Sequence, residues 1–266
     1  MNPHRRRFVP TGDELSPLGL GTVKFGRNQK VKNKGGDGFP LPSAAEMAHL
    51  LDLSLELGIN VLDTAPAYGV SEEELGPLLE TRRERFFLMT KCGEEFNGGQ
   101  SHYDFSAEAV EKSLARSLRR LKTDRLDLVL VHCNRDDLNN LQGSDVFPSL
   151  ARAKEKGLIR SFGASTYSLE AARYALEHSD AIMVTFNAED QSQLPVMEEA
   201  KVLGKGVFVK KGLRQGFLDG GPEAAMKAVL GQGAVTSMIF GTLNPAHLQS
   251  NCDAATSVLG APVQLG

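Results

Sequence analysis

Residues 61–72 read Val61-Leu62-Asp63-Thr64-Ala65-Pro66-Ala67-Tyr68-Gly69-Val70-Ser71-Glu72. The first three residues continue the apolar segment that begins at Asn60, and Asp63 stands where this predicted strand ends. A proline and a glycine then predict a turn. Ser71 is in position to cap a following helix, with a capping-box glutamate three residues later. Asp63 and Tyr68 therefore leave a strand at its carboxyl end, where α/β proteins place their chemistry.

Two later apolar segments end in a similar way. Phe86-Phe87-Leu88-Met89-Thr90 runs directly into Lys91, and Leu128-Val129-Leu130-Val131 runs directly into His132. The carboxyl ends of barrel strands open on one face. We therefore expect Lys91 and His132 to lie near Asp63 and Tyr68 on that face.

Apolar strand segments alternate with helical segments along the chain. The strands are continuous apolar runs, which is typical of parallel strands buried on both faces. The alternation predicts a single-domain (β/α)8 TIM barrel over residues 1–266, with an open doubly wound sheet as the alternative. Strands are expected near 18–22, 60–63, 86–91, 127–132, 159–164, 181–186, 206–210 and 237–241. Helices are expected near 43–57, 71–81, 106–121, 147–156, 168–177, 192–203, 222–231 and 244–258.

The long, irregular connections all follow strands, so a barrel would gather them over the predicted site. They cover 24–42, 93–105, 133–146 and 211–221. The first, from Lys24 to Pro42, is rich in Gly, Lys and Asn and is long for a compact domain. Two interpretations remain open for it: an active-site flap or a disordered segment.

Composition limits the classes of function. Hydrophobic residues make up 41% of the 266, enough for a sizeable core, and no composition shift marks a second domain. A net charge of −3 gives no reason to expect nucleic acid. No apolar run is long enough to span a membrane. We expect a cytoplasmic protein, since the three cysteines are few and odd in number and have no metal-ligand spacing.

The glycines of Leu18-Gly19-Leu20-Gly21 do not make a dinucleotide fingerprint. Lys24 occupies the position where the fingerprint requires its third glycine, and a long loop rather than a helix is predicted to follow. The Rossmann context therefore fails.

The four strand-end residues suggest a proton donor. A tyrosine hydroxyl has a reference pKa near 10, and a nearby ammonium lowers such a pKa. Lys91 is expected to act in this way on Tyr68, while Asp63 holds the ammonium charged. His132 is expected to offer an N–H that orients and polarises a carbonyl oxygen.

At this point the chain resembles the aldo-keto reductase superfamily over roughly residues 5–260. The pattern Asp-Thr-Ala-x-x-Tyr-Gly-x-Ser-Glu, then Lys91 and His132 at the next strand ends, matches that family's tetrad in order. The resemblance implies catalytic roles for Asp63, Tyr68, Lys91 and His132. It also implies a hydride from NADPH, with NADH as the alternative, and a small aldehyde or ketone as substrate. Loops 24–42, 93–105 and 133–146 would bound its pocket, with Phe25, Phe96 and Tyr103 as candidate lining residues.

The same resemblance implies a set of cofactor contacts. Ser165-Thr166 replaces a Ser-Asn pair, Met183 replaces a glutamine, and Lys210 replaces an aromatic residue that often stacks on the nicotinamide. His247 stands where NADPH-preferring relatives usually carry arginine, which predicts a smaller preference for NADPH. The implied cofactor residues are Thr22, Asp63, Ser165, Thr166, Lys210, Leu213, Gly241, Thr242, His247 and Asn251.

Two other functions stay open at this stage. The chain could be a cofactor-binding regulatory or scaffold subunit, because relatives of this fold serve ion channels in that way. It could also be a lyase that uses Lys91 as a Schiff-base amine. The sequence gives no indication of the oligomeric state.

Overall fold

The computed structural model describes residues 4–31, 36–216 and 221–260, without the side chain of Gln215. In chain order its strands are β1 Arg6–Phe8, β2 Asp13–Leu15, β3 Leu18–Gly21, β4 Val61–Asp63, β5 Phe87–Cys92, β6 Glu94–Asn97, β7 Gln100–Tyr103, β8 Leu128–His132, β9 Phe162–Ser165, β10 Ala181–Thr185, β11 Gly206–Lys210 and β12 Ser237–Phe240. Its helices are α1 Val23–Gly26, α2 Ala44–Glu56, α3 Ser71–Leu79, α4 Ala107–Arg120, α5 Asp137–Gln142, α6 Val146–Glu155, α7 Leu169–His178, α8 Leu194–Val202, α9 Gly221–Leu230 and α10 Pro245–Leu259. Arg83–Arg85 and Arg214–Gly216 form 3-10 turns.

Eight parallel strands close into a barrel in the order β3-β4-β5-β8-β9-β10-β11-β12, and β12 pairs with β3 to complete it. The closed barrel confirms the predicted (β/α)8 fold and excludes the alternative, an open doubly wound sheet. All eight expected barrel strands and all eight expected helices are present among the described residues, with small shifts at their ends. The extension of one domain over all of 1–266 stays a prediction.

The barrel strands bury both of their faces, as their apolar sequences predict. One set of side chains, including Val61, Met89, Leu130 and Phe208, fills the barrel interior. The alternate side chains pack outward against the helices, and Cys92 and Cys133 belong to this outer layer. Both cysteine side chains therefore point away from the barrel interior.

An antiparallel hairpin of β1 and β2, which the sequence did not predict, closes the amino-terminal end of the barrel. Its Phe8 is 1% exposed and packs edge-on against Phe87 and Phe208, with ring centroids 5.4 and 5.9 Å away. The Phe8 ring therefore fills the amino-terminal end of the barrel interior.

Several connections contain more regular structure than expected. Segment 93–105 holds the β6–β7 hairpin, and 133–146 holds α5. The long loop begins with α1, where Gly26 lies so close to α3 that a Cβ atom would stand 2.0 Å from the amide nitrogen of Ser71. Its described residues 27–31 and 36–42 are tied together, for example by Asn28, which donates to the Phe39 carbonyl at 2.8 Å. Residues 32–35, and with them the choice between flap and disorder, lie outside the described part.

Polar side chains cap two of the described helices, and one expected cap is absent. Ser43 caps α2 in a capping box with Glu46, and Asn244 caps α10. The cap assigned to Ser71 is wrong, because Val70 holds that position. The Ser71 hydroxyl instead donates to Thr22, which ties α3 to the end of β3.

Candidate active site

A buried ion pair lies at the carboxyl end of the barrel. Asp63 ends β4, Lys91 is the fifth residue of β5, and the two strands are neighbours. The Lys91 ammonium donates to an Asp63 carboxylate oxygen at 2.6 Å and to the Thr64 carbonyl at 2.9 Å. Burial opposes the charge of this ammonium, but the carboxylate of Asp63 and the nearby Tyr68 more than offset it. The pKa of Lys91 is therefore raised above its ordinary value.

Tyr68 lies directly over this pair. Its hydroxyl is 3.5 Å from the second Asp63 oxygen, and the Lys91 nitrogen is 4.7 Å from its ring centroid. Burial raises the pKa of Tyr68 to about 12, although the Lys91 ammonium lowers it. The expectation of a lowered pKa is wrong in its net direction, because loss of solvent outweighs the ammonium. The phenol is therefore fully protonated at neutral pH, as a proton donor must be.

His132 closes another side of the site. It ends β8, and its ring lies edge-on to that of Tyr68 with centroids 6.2 Å apart. Asp63, Tyr68, Lys91 and His132 are thus brought together as the sequence predicted.

A fifth residue, Glu94, was missed in the sequence. One of its carboxylate oxygens lies 2.7 Å from Nδ1 of His132, although the ring is not turned for a straight hydrogen bond. The other oxygen accepts from Ser101 at 2.6 Å. Glu94 opens the β6–β7 hairpin, and the signal that could have located it is Gly98-Gly99, a two-residue hairpin turn.

Glu94 influences the protonation of His132. Burial opposes ionisation of this carboxyl, but the His132 and Ser101 contacts lower the pKa of Glu94 to about 2. Burial lowers the pKa of His132, and Glu94 partly offsets that effect. An ionised carboxylate beside Nδ1 favours a proton on that nitrogen. In the neutral ring Nε2 is then an acceptor, and it donates only when the ring is protonated on both nitrogens.

A cavity of about 170 Å³ joins these residues to the predicted cofactor residues. Asp63, Tyr68, Lys91 and His132 line one part of it. The remaining lining comes from the ends of other strands: Gly21, Val23, Ser165, Met183, Lys210, Ile239, Phe240 and Gly241. A larger, polar cavity of about 410 Å³ lies at the opposite end of the barrel, around Arg83, Asp127 and Arg160, whose charges pair with one another or with nearby groups.

Of the residues expected to hold the cofactor, Asp63, Ser165, Lys210 and Gly241 line the cavity. The Thr22 hydroxyl does not, since it is buried and donates to the Asp63 carbonyl. The Thr166 side chain is also buried, and its hydroxyl has no hydrogen-bond partner among the described residues.

The other expected cofactor residues lie around the starts of later helices. Leu213 packs against the outer core, and Thr242 accepts from the amide of Asn244 at 3.0 Å. His247 is exposed in the first turn of α10, and Asn251 is buried one turn further on.

Of the three residues expected to line the substrate pocket, one is buried in the outer core and two lie on the β6–β7 hairpin. Phe25 is only 1% exposed and belongs to the outer core, so its assignment to the pocket is wrong. Phe96 lies under the Arg27 guanidinium, 3.5 Å from its ring centroid. Tyr103 is exposed at the end of β7.

Comparison with known proteins matches this geometry to a family. The model of the aldo/keto reductase family matches residues 17–221. The chain belongs to the aldo/keto reductase family. Its relatives carry oxidoreductase names, which supports an oxidoreductase activity for this member.

Individual relatives extend over most of the chain. A crystal structure from Pseudomonas aeruginosa, of a protein provisionally assigned as an aldo-keto reductase, is 44% identical with a TM-score of 0.88 and covers 97% of this chain and 96% of its own. The uncharacterised oxidoreductase YqkF of Bacillus subtilis is 28% identical and covers 95% of this chain and 92% of its own. The NADH-specific methylglyoxal reductase of Escherichia coli is 28% identical and covers 77% of this chain and 66% of its own.

Among the described residues, no helix combines the length and apolar character needed to cross a membrane.

Proposed function

We propose that this family member is an NAD(P)H-dependent reductase that converts an aldehyde or ketone to an alcohol. The observation that carries the proposal is a protonated, half-buried Tyr68 side chain that lines a cavity beside the Lys91–Asp63 pair. When bound, the nicotinamide supplies the hydride that attacks the carbonyl carbon.

Tyr68 gives its proton to the carbonyl oxygen as that oxygen becomes an alkoxide. Burial disfavours the negative charge of the tyrosinate that is left behind, and the pKa of Tyr68 is raised for the same reason. The Lys91 ammonium, 4.7 Å from the ring centroid, stabilises that anion. Asp63 keeps the ammonium charged and fixed, because it accepts from it at 2.6 Å. The pair is assembled before reaction, so its charges need little reorganisation.

His132 orients the substrate, and Glu94 positions His132. With the ring protonated on both nitrogens, Nε2 donates to the carbonyl oxygen and polarises it. Glu94 favours this form through its contact with Nδ1, against the burial that disfavours it. Glu94 therefore acts through His132 and is a positioning residue.

The remaining lining fits a nicotinamide. The Ser165 hydroxyl lines the cavity and is a polar group for a carboxamide, and the cavity has room for one ring. For the adenosine end we propose Thr242, His247, Asn251 and the start of α10, since helix amino termini bind phosphate. We expect NADPH to be favoured over NADH, as in the family. The margin should be small, because His247 replaces the arginine that binds a 2′-phosphate with several donors. The methylglyoxal reductase of E. coli shows by its name that a similar chain works with NADH on a small carbonyl compound.

The Schiff-base alternative is disfavoured by the same ion pair. An imine forms from a neutral amine, whereas Asp63 raises the pKa of Lys91 and keeps it protonated. No observation in the described site favours a scaffold role over turnover.

The purified protein should be tested with NADPH and NADH against aldehydes, ketones and quinones. Loss of cofactor absorbance must be matched by chromatographic identification of an equal amount of alcohol or reduced quinone. The proposal predicts stoichiometric product with at least one carbonyl substrate. Tight cofactor binding without product across the panel would instead support the scaffold function. Borohydride trapping of an adduct on Lys91 would support the lyase.

A further inference from the structure

Lys210 is a cation in the active-site cavity whose bonding partners are all neutral. It ends β11, and its ammonium donates to the Ser165 hydroxyl at 2.9 Å and to the Thr166 carbonyl at 2.8 Å. No carboxylate among the described residues bonds to it. This differs from Lys91 in the same cavity, which is neutralised by Asp63 at 2.6 Å.

The surroundings of Lys210 add positive charge. Its nitrogen lies 4.4 Å from the centroid of the Tyr167 ring, and the same ring is contacted by Lys211 at 5.6 Å and Arg135 at 4.6 Å. The carboxylate of Asp137 acts on the charge of Lys210 without bonding to it. Its two oxygens accept from the Tyr167 and Ser168 backbone amides, the Ser168 hydroxyl and the Leu138 amide, so it is committed elsewhere. Lys210 therefore lines the cavity without a bonded counter-ion among the described residues.

The shared cavity brings that charge close to a hydride donor. Tyr68 and Lys210 both line the same cavity of about 170 Å³. A nicotinamide that reaches a carbonyl on Tyr68 therefore occupies the cavity that the Lys210 side chain lines.

The two redox states of a nicotinamide differ by one unit of charge on the ring. The dihydronicotinamide is neutral and is attracted by an ammonium beside its face, whereas the oxidised ring is a cation and is repelled. We propose that Lys210 makes this site bind the reduced cofactor in preference to the oxidised one. This inference rests on the proposed function and deepens it. It implies that Lys210 promotes release of the oxidised cofactor after each reduction.

The preference should depend on pH. Burial and the neighbouring Lys211 lower the pKa of Lys210 to about 7. The groups that influence it from packed elements are Lys91 on β5, His132 on β8, Cys133 and Asp137 after β8, and Tyr167 after β9. Since the amine is charged below its pKa, discrimination should be large near pH 6 and small near pH 8.

The test is isothermal titration calorimetry with NADPH and NADP⁺ on the wild type, Lys210→Met and Lys210→Arg at pH 6, 7 and 8. Lys205→Met is the matched control, since Lys205 precedes the opposite end of the same strand and bonds the Leu176 carbonyl. At pH 6 we expect Lys210→Met to lower the ratio of oxidised to reduced dissociation constants by about tenfold or more. The wild-type ratio should fall as the pH rises. For Lys210→Arg, the ratio of dissociation constants at pH 8 should equal its ratio at pH 6, because arginine stays charged.

An equal ratio in the wild type and in Lys210→Met would overturn the inference. A wild-type ratio that is constant from pH 6 to 8 would also overturn it, and this measurement needs no variant to fold. If the wild type binds neither form, the proposed function fails as well. If it binds both forms without discrimination, only the role of Lys210 fails.

Discussion

The ammonium nitrogen of Lys91 lies 2.6 Å from a carboxylate oxygen of Asp63, and both side chains are almost completely buried. The pair is held by two adjacent strands whose register places Asp63 beside Met89, two residues before Lys91. Its geometry is therefore a property of the barrel rather than of a loop. Tyr68 sits over the pair, so the chemistry proposed for this protein depends on it directly.

Replacing Lys91 by Met should lower kcat for carbonyl reduction by about 10²-fold, because the tyrosinate formed in the reaction loses a cation about 5 Å away. The dissociation constant for NADPH should change little. Steady-state kinetics and calorimetry measure the two effects. Lys112→Met, on the exposed face of α4, is the control and should leave both unchanged. A Lys91→Met enzyme with wild-type kcat would contradict the role given to this ion pair.

Replacing Asp63 by Asn should destabilise the protein more than a surface charge change does. The substitution leaves the buried Lys91 ammonium without its counter-ion, which commonly costs about 3–5 kcal/mol of unfolding free energy. The matched control is Glu108→Gln, which breaks the exposed Lys112–Glu108 pair, where little change in the free energy of unfolding is expected. Urea unfolding followed by circular dichroism compares the two. Equal losses would mean that Asp63 does not stabilise a buried charge.

The sequence predicted the barrel and the four strand-end residues because each depends on local patterns. Continuous apolar runs mark buried strands, and a polar residue at the end of such a run stands out. The β1–β2 hairpin was missed because its strands have three residues each, and charged neighbours conceal Phe8 and Leu15. The direction in which the pKa of Tyr68 shifts was predicted wrongly, because it depends on how much solvent the folded protein excludes from the side chain. No single segment of the sequence shows that. The cap assigned to Ser71 failed for a related reason, since a tertiary contact with Thr22 takes its hydroxyl.

Replacing Glu94 by Gln should change the pH dependence of the reaction. If His132 must be doubly protonated to donate from Nε2, kcat/KM falls as the pH rises through the His132 pKa. Glu94 raises that pKa against the effect of burial, so Glu94→Gln should move the falling limb to lower pH. NMR titration of the His132 ring gives an independent measure of the same shift.

The control for this experiment is Glu95→Gln, since Glu95 pairs with Arg116 and not with His132. Glu95→Gln should change neither the pH at which kcat/KM falls nor the NMR titration of the His132 ring. If Glu94→Gln also leaves them in place, Glu94 does not act through His132.

Replacing His247 by Arg should widen the preference for NADPH over NADH. His247 is exposed in the first turn of α10, where an arginine would add charge-assisted hydrogen bonds to a 2′-phosphate. Such bonds are worth about 1.5–3 kcal/mol, so the ratio of the two kcat/KM values should rise by about 10- to 100-fold. His49→Arg, on the exposed face of α2, adds the same charge elsewhere and should not change the ratio. An unchanged ratio in His247→Arg would remove this residue from the phosphate site.

The most direct test of the account is the Tyr68→Phe variant, measured for both turnover and cofactor affinity. Removing only the hydroxyl should lower kcat by about 10²–10⁴-fold, the usual contribution of a general acid. The dissociation constant for NADPH should stay nearly constant. Tyr174→Phe is the control, because Tyr174 lies on α7 and packs against Phe147 and His178, outside the cavity-lining set. A Tyr68→Phe enzyme that keeps half of its kcat would show that Tyr68 is not the proton donor.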